Sequence, residues 1–199
     1  MHILKISRLE GLTDGIFAIA MTILALDLRL PTYLTKFDLS TFLLSDIVTK
    51  LLVYAGSFVI LGTLWVAMSF QTGFLERLNR PYLWTHVLYL MIICIVPFSA
   101  FLVSTYPHND VSISFYAINL LCANLTQYLI IECARFFKLN NASYTDMVRR
   151  VSLQRVFIAP IFYIASLVIA HWSASLAFIF LLAPIVVYMV PGKIDQYNT

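Results

Sequence analysis

The sequence predicts an all-α, polytopic membrane protein with six transmembrane helices per subunit, organised as one domain over residues 1–199. Three observations carry that expectation. Of the 199 residues, 61% are hydrophobic and only 12% are charged, whereas a soluble domain carries about 45–50% apolar and about 25% charged residues. So few charges cannot cover a water-facing surface, which argues against a soluble enzyme. The apolar residues also fall into six runs, each near the roughly 20 residues that cross the hydrocarbon of a bilayer. Six such spans use about 120–150 residues, which leaves short loops and no room for a separate soluble domain. The net charge of +3 comes from scattered basic residues, so no patch attracts nucleic acid.

The first span is read over residues 8–30, ended by Pro31, because proline cannot continue a helix and restricts the residue before it. A mixed stretch follows, in which Leu39, Phe42 and Leu43 suit a short interfacial helix. The second span covers 46–70 and leads to a polar turn at 76–80. The third covers 82–105, with Pro97 as an expected kink. His108, Asn109 and Asp110 make a tight connection to the fourth span, 111–137. A polar loop at 138–150 precedes the fifth span, 151–170, and the sixth covers 173–190, these two containing Pro160 and Pro184. A retained first helix fits the N-terminus better than a cleaved signal peptide, since Arg8, Glu10 and Asp14 interrupt the apolar run. Cys94, Cys122 and Cys133 lie in apolar stretches without CxxC spacing and read as buried thiols, neither disulfides nor metal ligands.

Lys and Arg in short loops set orientation. With six spans, one side receives Lys5, Arg8, Arg77, Arg80, Arg135, Lys138, Arg149, Arg150 and Lys193, and the other only Arg29, Lys36 and Lys50. This places both termini in the cytoplasm, with the protein in the plasma membrane.

Ionisable groups inside a membrane are functional candidates by default. Arg8, Glu10, Asp27 and Arg29 can snorkel to an interface. Asp14 lies about one turn deeper, either solvated by headgroups or anchored to polar groups on neighbouring helices. At about 100° per residue, Leu12, Ile19, Ile23, Leu26 and Leu30 share a narrow stripe, with Thr22 at its edge and Asp14 about 140° away. Such a stripe, taken alone, faces lipid, a packed core or a pore. Leu24 points away from it and serves as the control for Ile19.

The stretch RLEGLTDGIFAIAMTILALDLRLP, from Arg8 to Pro31, resembles the first helix of the transmembrane protein 175 family. These are lysosomal potassium channels of animals, with six-helix relatives in bacteria and archaea; the chain looks like a prokaryotic member. The family motif is arginine, three residues, then Phe-Ser-Asp. Here Arg8 and Asp14 match, while Leu12 and Thr13 replace Phe and Ser. Trp65, the Leu83-Trp84 pair with His86, and Pro97-Phe98 extend the likeness over roughly the first hundred residues. Met68 and Ser69 stand where the family often has histidine, and His86 stands where asparagine is common. The polar network around Asp14 is therefore expected to be wired differently. His86 is either satisfied locally or a member of that network.

The resemblance implies a homotetrameric, leak-type potassium channel, not an enzyme, with four first helices lining a central pore. Its residue assignments follow position by position. Ile19 matches the constricting isoleucine, Ile23 and Leu26 match further hydrophobic layers, and Thr22 matches a threonine linked to potassium selectivity. Arg8, Thr13, Asp14, Trp65 and His86 form the structural motif. No cofactor is expected; the potassium ion is the permeant, and the partners are lipid and further copies of the chain. Residues also speak on what is missing: there are six glycines and no Thr-Val-Gly-Tyr-Gly-like filter run, and no Arg-rich voltage-sensing helix. Glu132 and Arg135, three apart on one helix, read as an interfacial pair worth about 0.2–0.5 kcal/mol. Asn119, Asn124 and Gln127 read as interhelical hydrogen-bonding groups. The competing class is a secondary transporter, which favours broken helices and an inverted repeat; neither is visible.

Overall fold

The computed structural model describes residues 5–26, 28 and 36–189, and side chains within them except those of 36–46, 155 and 186–189. Six helices are described: α1 Ile6–Leu26, α2 Lys36–Thr72, α3 Arg80–Thr105, α4 Asp110–Phe136, α5 Asp146–Ala170 and α6 Ala174–Met189. No strand occurs among the described residues, only an isolated antiparallel bridge between Leu75 and Asn140. Five helices are long and apolar enough to cross a membrane, and α6 is shorter, at 16 residues. The expected helix end at Pro31, together with Asp27, Arg29 and Leu30, lies outside the described residues, as does Lys193.

The helix starts follow capping chemistry. Asn79 accepts from the Tyr82 N–H at 2.9 Å ahead of Pro81 in the first turn of α3, where the missing proline N–H has no helical partner to lose. Asn109 accepts from the Val111 N–H at 2.9 Å and caps α4. Thr145 caps α5, with Asp146 in the first turn, where the positive end of the helix dipole favours a carboxylate. The expected loop at 138–150 is thus shorter: residues 146–150 are helical. Apolar content marks where a helix enters the hydrocarbon, and the cap lies earlier. In the same way α2 is one helix of 37 residues, not an interfacial helix followed by a span. At 1.5 Å per residue it is about 55 Å long, well beyond the roughly 30 Å of hydrocarbon.

α3 sits at the centre, packed against α1, α2 and α4, while α5 packs on α4 and α6, and α6 touches α2. Across these seams the polar groups pair. Tyr116 OH donates to Ser57 Oγ at 2.8 Å, linking α4 to α2, and Ser166 Oγ donates to the Ala177 carbonyl at 2.8 Å, linking α5 to α6. A side chain at Gly56 would meet Leu182 Cδ2 at 2.5 Å, so the Leu182 methyl rests on the bare glycine where α2 and α6 meet. α3 runs through Pro97 as one helix. Beside it the Asn119 amide enters the ladder: its nitrogen donates to the Ile92 carbonyl at 3.3 Å and its oxygen accepts from the Val96 N–H at 3.2 Å. Asn124, by contrast, donates to Leu120 O of its own helix at 2.9 Å, so its expected interhelical role is not seen.

The turn after α2 and the loop after α4 are stitched together. Glu76 N–H donates to Leu139 O at 2.9 Å, and Asn141 N–H donates to Phe74 O at 2.8 Å. These two loops therefore share one side of the bundle, as alternating spans require. Cys94 and Cys122 are exposed and Cys133 is half-buried, all three as free thiols, which corrects the expectation that they are buried. In a membrane bundle the outer surface is itself apolar, so an apolar sequence context does not imply burial.

Candidate functional site

α1 divides into two faces. Leu9, Thr13, Phe17, Ala20 and Leu24 recur at helical spacing and are buried against α2 and α3. The opposite face carries Leu12, Ile19, Ile23 and Leu26, which are 48%, 60%, 42% and 53% exposed. Asp14, Gly15, Ala18 and Thr22 are exposed as well. The stripe drawn from periodicity is thus an open surface of the protomer, not core. Leu30 lies outside the described residues. Leu24 does point away from the stripe, but it points into the core at 2% exposure, which disqualifies it as a neutral control.

The two motif residues hold α1 from different sides. Thr13 Oγ1 donates to Leu9 O at 2.8 Å and lies 2.8 Å from His86 Nε2 on α3. A hydroxyl has one proton, and here it goes to the backbone. With the hydroxyl proton on Leu9 O, the tautomer that completes the Thr13–His86 pair is the one protonated on Nε2. The ring is fully buried beside Tyr82 and Tyr89, with Nδ1 lacking a partner. His86 thus pairs with Thr13 across the α1–α3 seam. Asp14 Oδ1 accepts from Trp65 Nε1 of α2 at 2.8 Å. Together the bonds tie α1 to both neighbours one residue apart in sequence. Arg8 is exposed, and its side chain has no ion pair among the described residues.

Thr22 Oγ1 donates to Ile19 O at 2.8 Å. With its proton engaged, the hydroxyl presents only lone pairs outward. It is an oxygen set among aliphatic side chains on the open face. Neither the helix α1 nor its neighbours offer a metal-ligand cluster: no group of three or more His, Cys, Asp or Glu converges among the described residues.

Sequence spacing missed one charged contact. Glu132 Oε1 accepts from Arg149 Nη2 of α5 at 2.6 Å, while Arg135, its expected partner, stands 3.6 Å away. Three-residue spacing on one helix revealed the weaker pair, and nothing in sequence marks a partner 17 residues away across a loop.

A family model described as the endosomal/lysosomal potassium channel TMEM175 matches residues 8–97. Among relatives, a protein named a potassium channel from Streptomyces collinus is 30% identical over 106 residues, which is 52% of this chain and 50% of that protein. The chain thus spans about half the length of that relative. Another protein named a potassium channel, from a Chryseobacterium species, is 23% identical over 191 residues, covering 94% of this chain and 93% of that protein. The fold is similar to the crystal structure of a lysosomal potassium-selective channel TMEM175 homolog from Chamaesiphon minutus, with a TM-score of 0.77 at 22% identity, over 92% of this chain and 95% of that one.

Proposed function

We propose that the chain is a member of the TMEM175 family, whose model matches residues 8–97, and that it is a potassium-selective, leak-type cation channel in which four copies set α1 around a central pore, a reading supported by relatives named potassium channels and by the likeness of fold. The helices act as a single six-helix unit, α1 lines the pore, and no chemical reaction is catalysed. The permeant is the potassium ion. The protein resides in the plasma membrane with both termini cytoplasmic, an orientation supported by the excess of Lys and Arg on that side.

The observation that carries this reading is the open face of α1. A helix whose far face is bonded through Thr13 and Asp14 to α3 and α2 leaves Ile19, Ile23, Leu26 and Thr22 uncovered. Lipid could cover the aliphatics, but an exposed carboxylate costs about 2.5–3.5 kcal/mol when it faces hydrocarbon. Contact with further copies on that side of α1, off the stripe, relieves that cost. Gly11 and Gly15, where a Cβ would have nothing within 4 Å, suit close approach by another helix.

In the pore, four Ile19 side chains form the narrowest layer, and Ile23 and Leu26 form the layers beyond. An aliphatic ring offers no oxygen to replace an ion's hydration, so a narrow ring dewets and stops conduction. Slight widening passes a partly hydrated ion. Thr22, with its lone pairs outward, supplies the adjacent oxygen that favours potassium.

Proteoliposome flux and bilayer reversal potentials test the reading. Channel currents that reverse near the potassium equilibrium potential support it. Saturable counterflow without current would replace it with the secondary-transporter reading.

A further inference from the structure

Away from α1, the outer face of α4 and α5 carries a second feature that ion conduction does not use. At the start of α5 is an open concavity of about 450 Å³, lined by Arg149, Arg150 and Gln154 together with Asp146. Its floor ends at Phe157, which also lines an apolar groove of about 420 Å³ between α4 and α5, walled by Leu125, Tyr128 and Pro160. Tyr128 and Phe157 pack tilted against each other with ring centroids 5.4 Å apart, and Phe157 is the residue that the two halves share. Leu125 and Phe157 are both more than half exposed.

We propose that these two adjoining concavities together bind one anionic phospholipid, with the phosphate against Arg150 and Gln154 and an acyl chain laid past Phe157 between α4 and α5. Charge selects the headgroup. Arg149 is engaged by Glu132 at 2.6 Å, whereas Arg150 is exposed and has no ion pair among the described residues. Asp146 sits on the same rim, which limits the positive field to the Arg150 side. Arg150, Gln154 and Phe157 lie at four- and three-residue steps, so guanidinium, amide and ring descend one face of α5. That order, charge then hydrogen bond then hydrocarbon, is the order of a phospholipid read from its headgroup inward. From Asp146 to Pro160 the groove runs about 21 Å at 1.5 Å per residue. This matches one headgroup region plus one leaflet of a hydrocarbon core about 30 Å thick. A soluble anion would leave the apolar half uncovered, and a zwitterionic lipid would bring its own cation towards Arg150.

Native mass spectrometry of the purified protein in mixed phosphatidylglycerol and phosphatidylcholine micelles reads this directly. Wild type retains phosphatidylglycerol in preference to phosphatidylcholine. Arg150→Gln lowers that preference about fivefold, the weight of one basic residue near a membrane surface. Arg80→Gln, the same charge change at an exposed position on α3, leaves it unchanged. Leu125→Trp, which fills the apolar half, lowers retention of both lipids while the assembly stays intact. Equal losses in Arg150→Gln and Arg80→Gln, or none in Arg150→Gln, would overturn the site. Dissociation of the assembly by Leu125→Trp would overturn it too, because the groove would then be a contact between copies.

Discussion

Ile19→Ala separates a pore-lining stripe from a lipid-facing one. Ile19 is 60% exposed in the protomer, so its truncation removes little packing. At about 0.8 kcal/mol per buried methylene, the loss is about 1 kcal/mol at most. Leu24, at 2% exposure, is a different case: Leu→Ala in a core costs about 2–5 kcal/mol, and a flux change there would report misfolding. The matched control is Ile161 on α5, also an isoleucine and 67% exposed. If Ile19 forms the dry ring, Ile19→Ala widens it and raises potassium flux about tenfold, equivalent to about 1.4 kcal/mol off the barrier. Ile19→Asn adds an oxygen at the same depth, keeps the gap wet and weakens preference for potassium over sodium. Ile161→Ala stays within about twofold of wild type, less than about 0.5 kcal/mol. The assay is potassium and sodium flux in proteoliposomes at matched protein incorporation. Equal responses at Ile19 and Ile161, or no response at either, would refute the hydrophobic constriction.

Trp65→Phe deletes the donor to Asp14 and is expected to lower thermal stability by about 1.5 kcal/mol, the low end of the range for hydrogen bonds to charged groups because this one is exposed, and to weaken assembly while leaving ion preference intact; a stable variant with altered reversal potential would place Asp14 in the conduction path. Glu132→Gln should destabilise the protein by about 1–2 kcal/mol by releasing Arg149, whereas Arg135→Gln should change it by less than about 0.5 kcal/mol; thermal melts in detergent compare the two. Tyr144 packs edge-on against Phe74 with ring centroids 5.5 Å apart, and burial, the largest influence, pushes its phenol above the ordinary 10.0. A raised phenol favours the neutral folded form, so this contribution is present below pH 10.0 and is lost as pH rises through the elevated folded value; Tyr144→Phe should flatten that alkaline loss in melts recorded against pH.

The helices were legible because the membrane imposes one rule, an apolar run of sufficient length, and the sequence obeys it from 6 to 26 and from 80 to 136. Where the rule stops, legibility stops. The first turn of α5 is polar and belongs to the helix only through the Thr145 cap, a signal independent of hydropathy. Periodicity found the faces of α1, since burial on a helix repeats every three to four residues. It could not say which of two non-stripe directions meets protein, so it located Leu24 correctly in angle and wrongly as a neutral site. Contacts between helices were least legible of all. Glu132 is held by Arg149 and Thr13 by His86, pairs separated by a loop in one case and by a whole helix in the other.

The motif pair also explains why α1 can afford so bare a face. A helix that packs on one side only is free to rotate about its axis, because aliphatic packing against two neighbours is nearly indifferent to small turns. Thr13 and Asp14 are adjacent and therefore point about 100° apart. One is fixed by α3 through His86 and the other by α2 through Trp65. Two directional bonds at that angle fix rotation in a way that Leu9, Phe17, Ala20 and Leu24 alone do not. A turn of one residue's angle, about 100°, would carry Ile19 off the open face. Rotation is thus the coordinate on which the proposed ring of four isoleucines would depend, and the polar pair one to two turns below Ile19 is where this chain sets it.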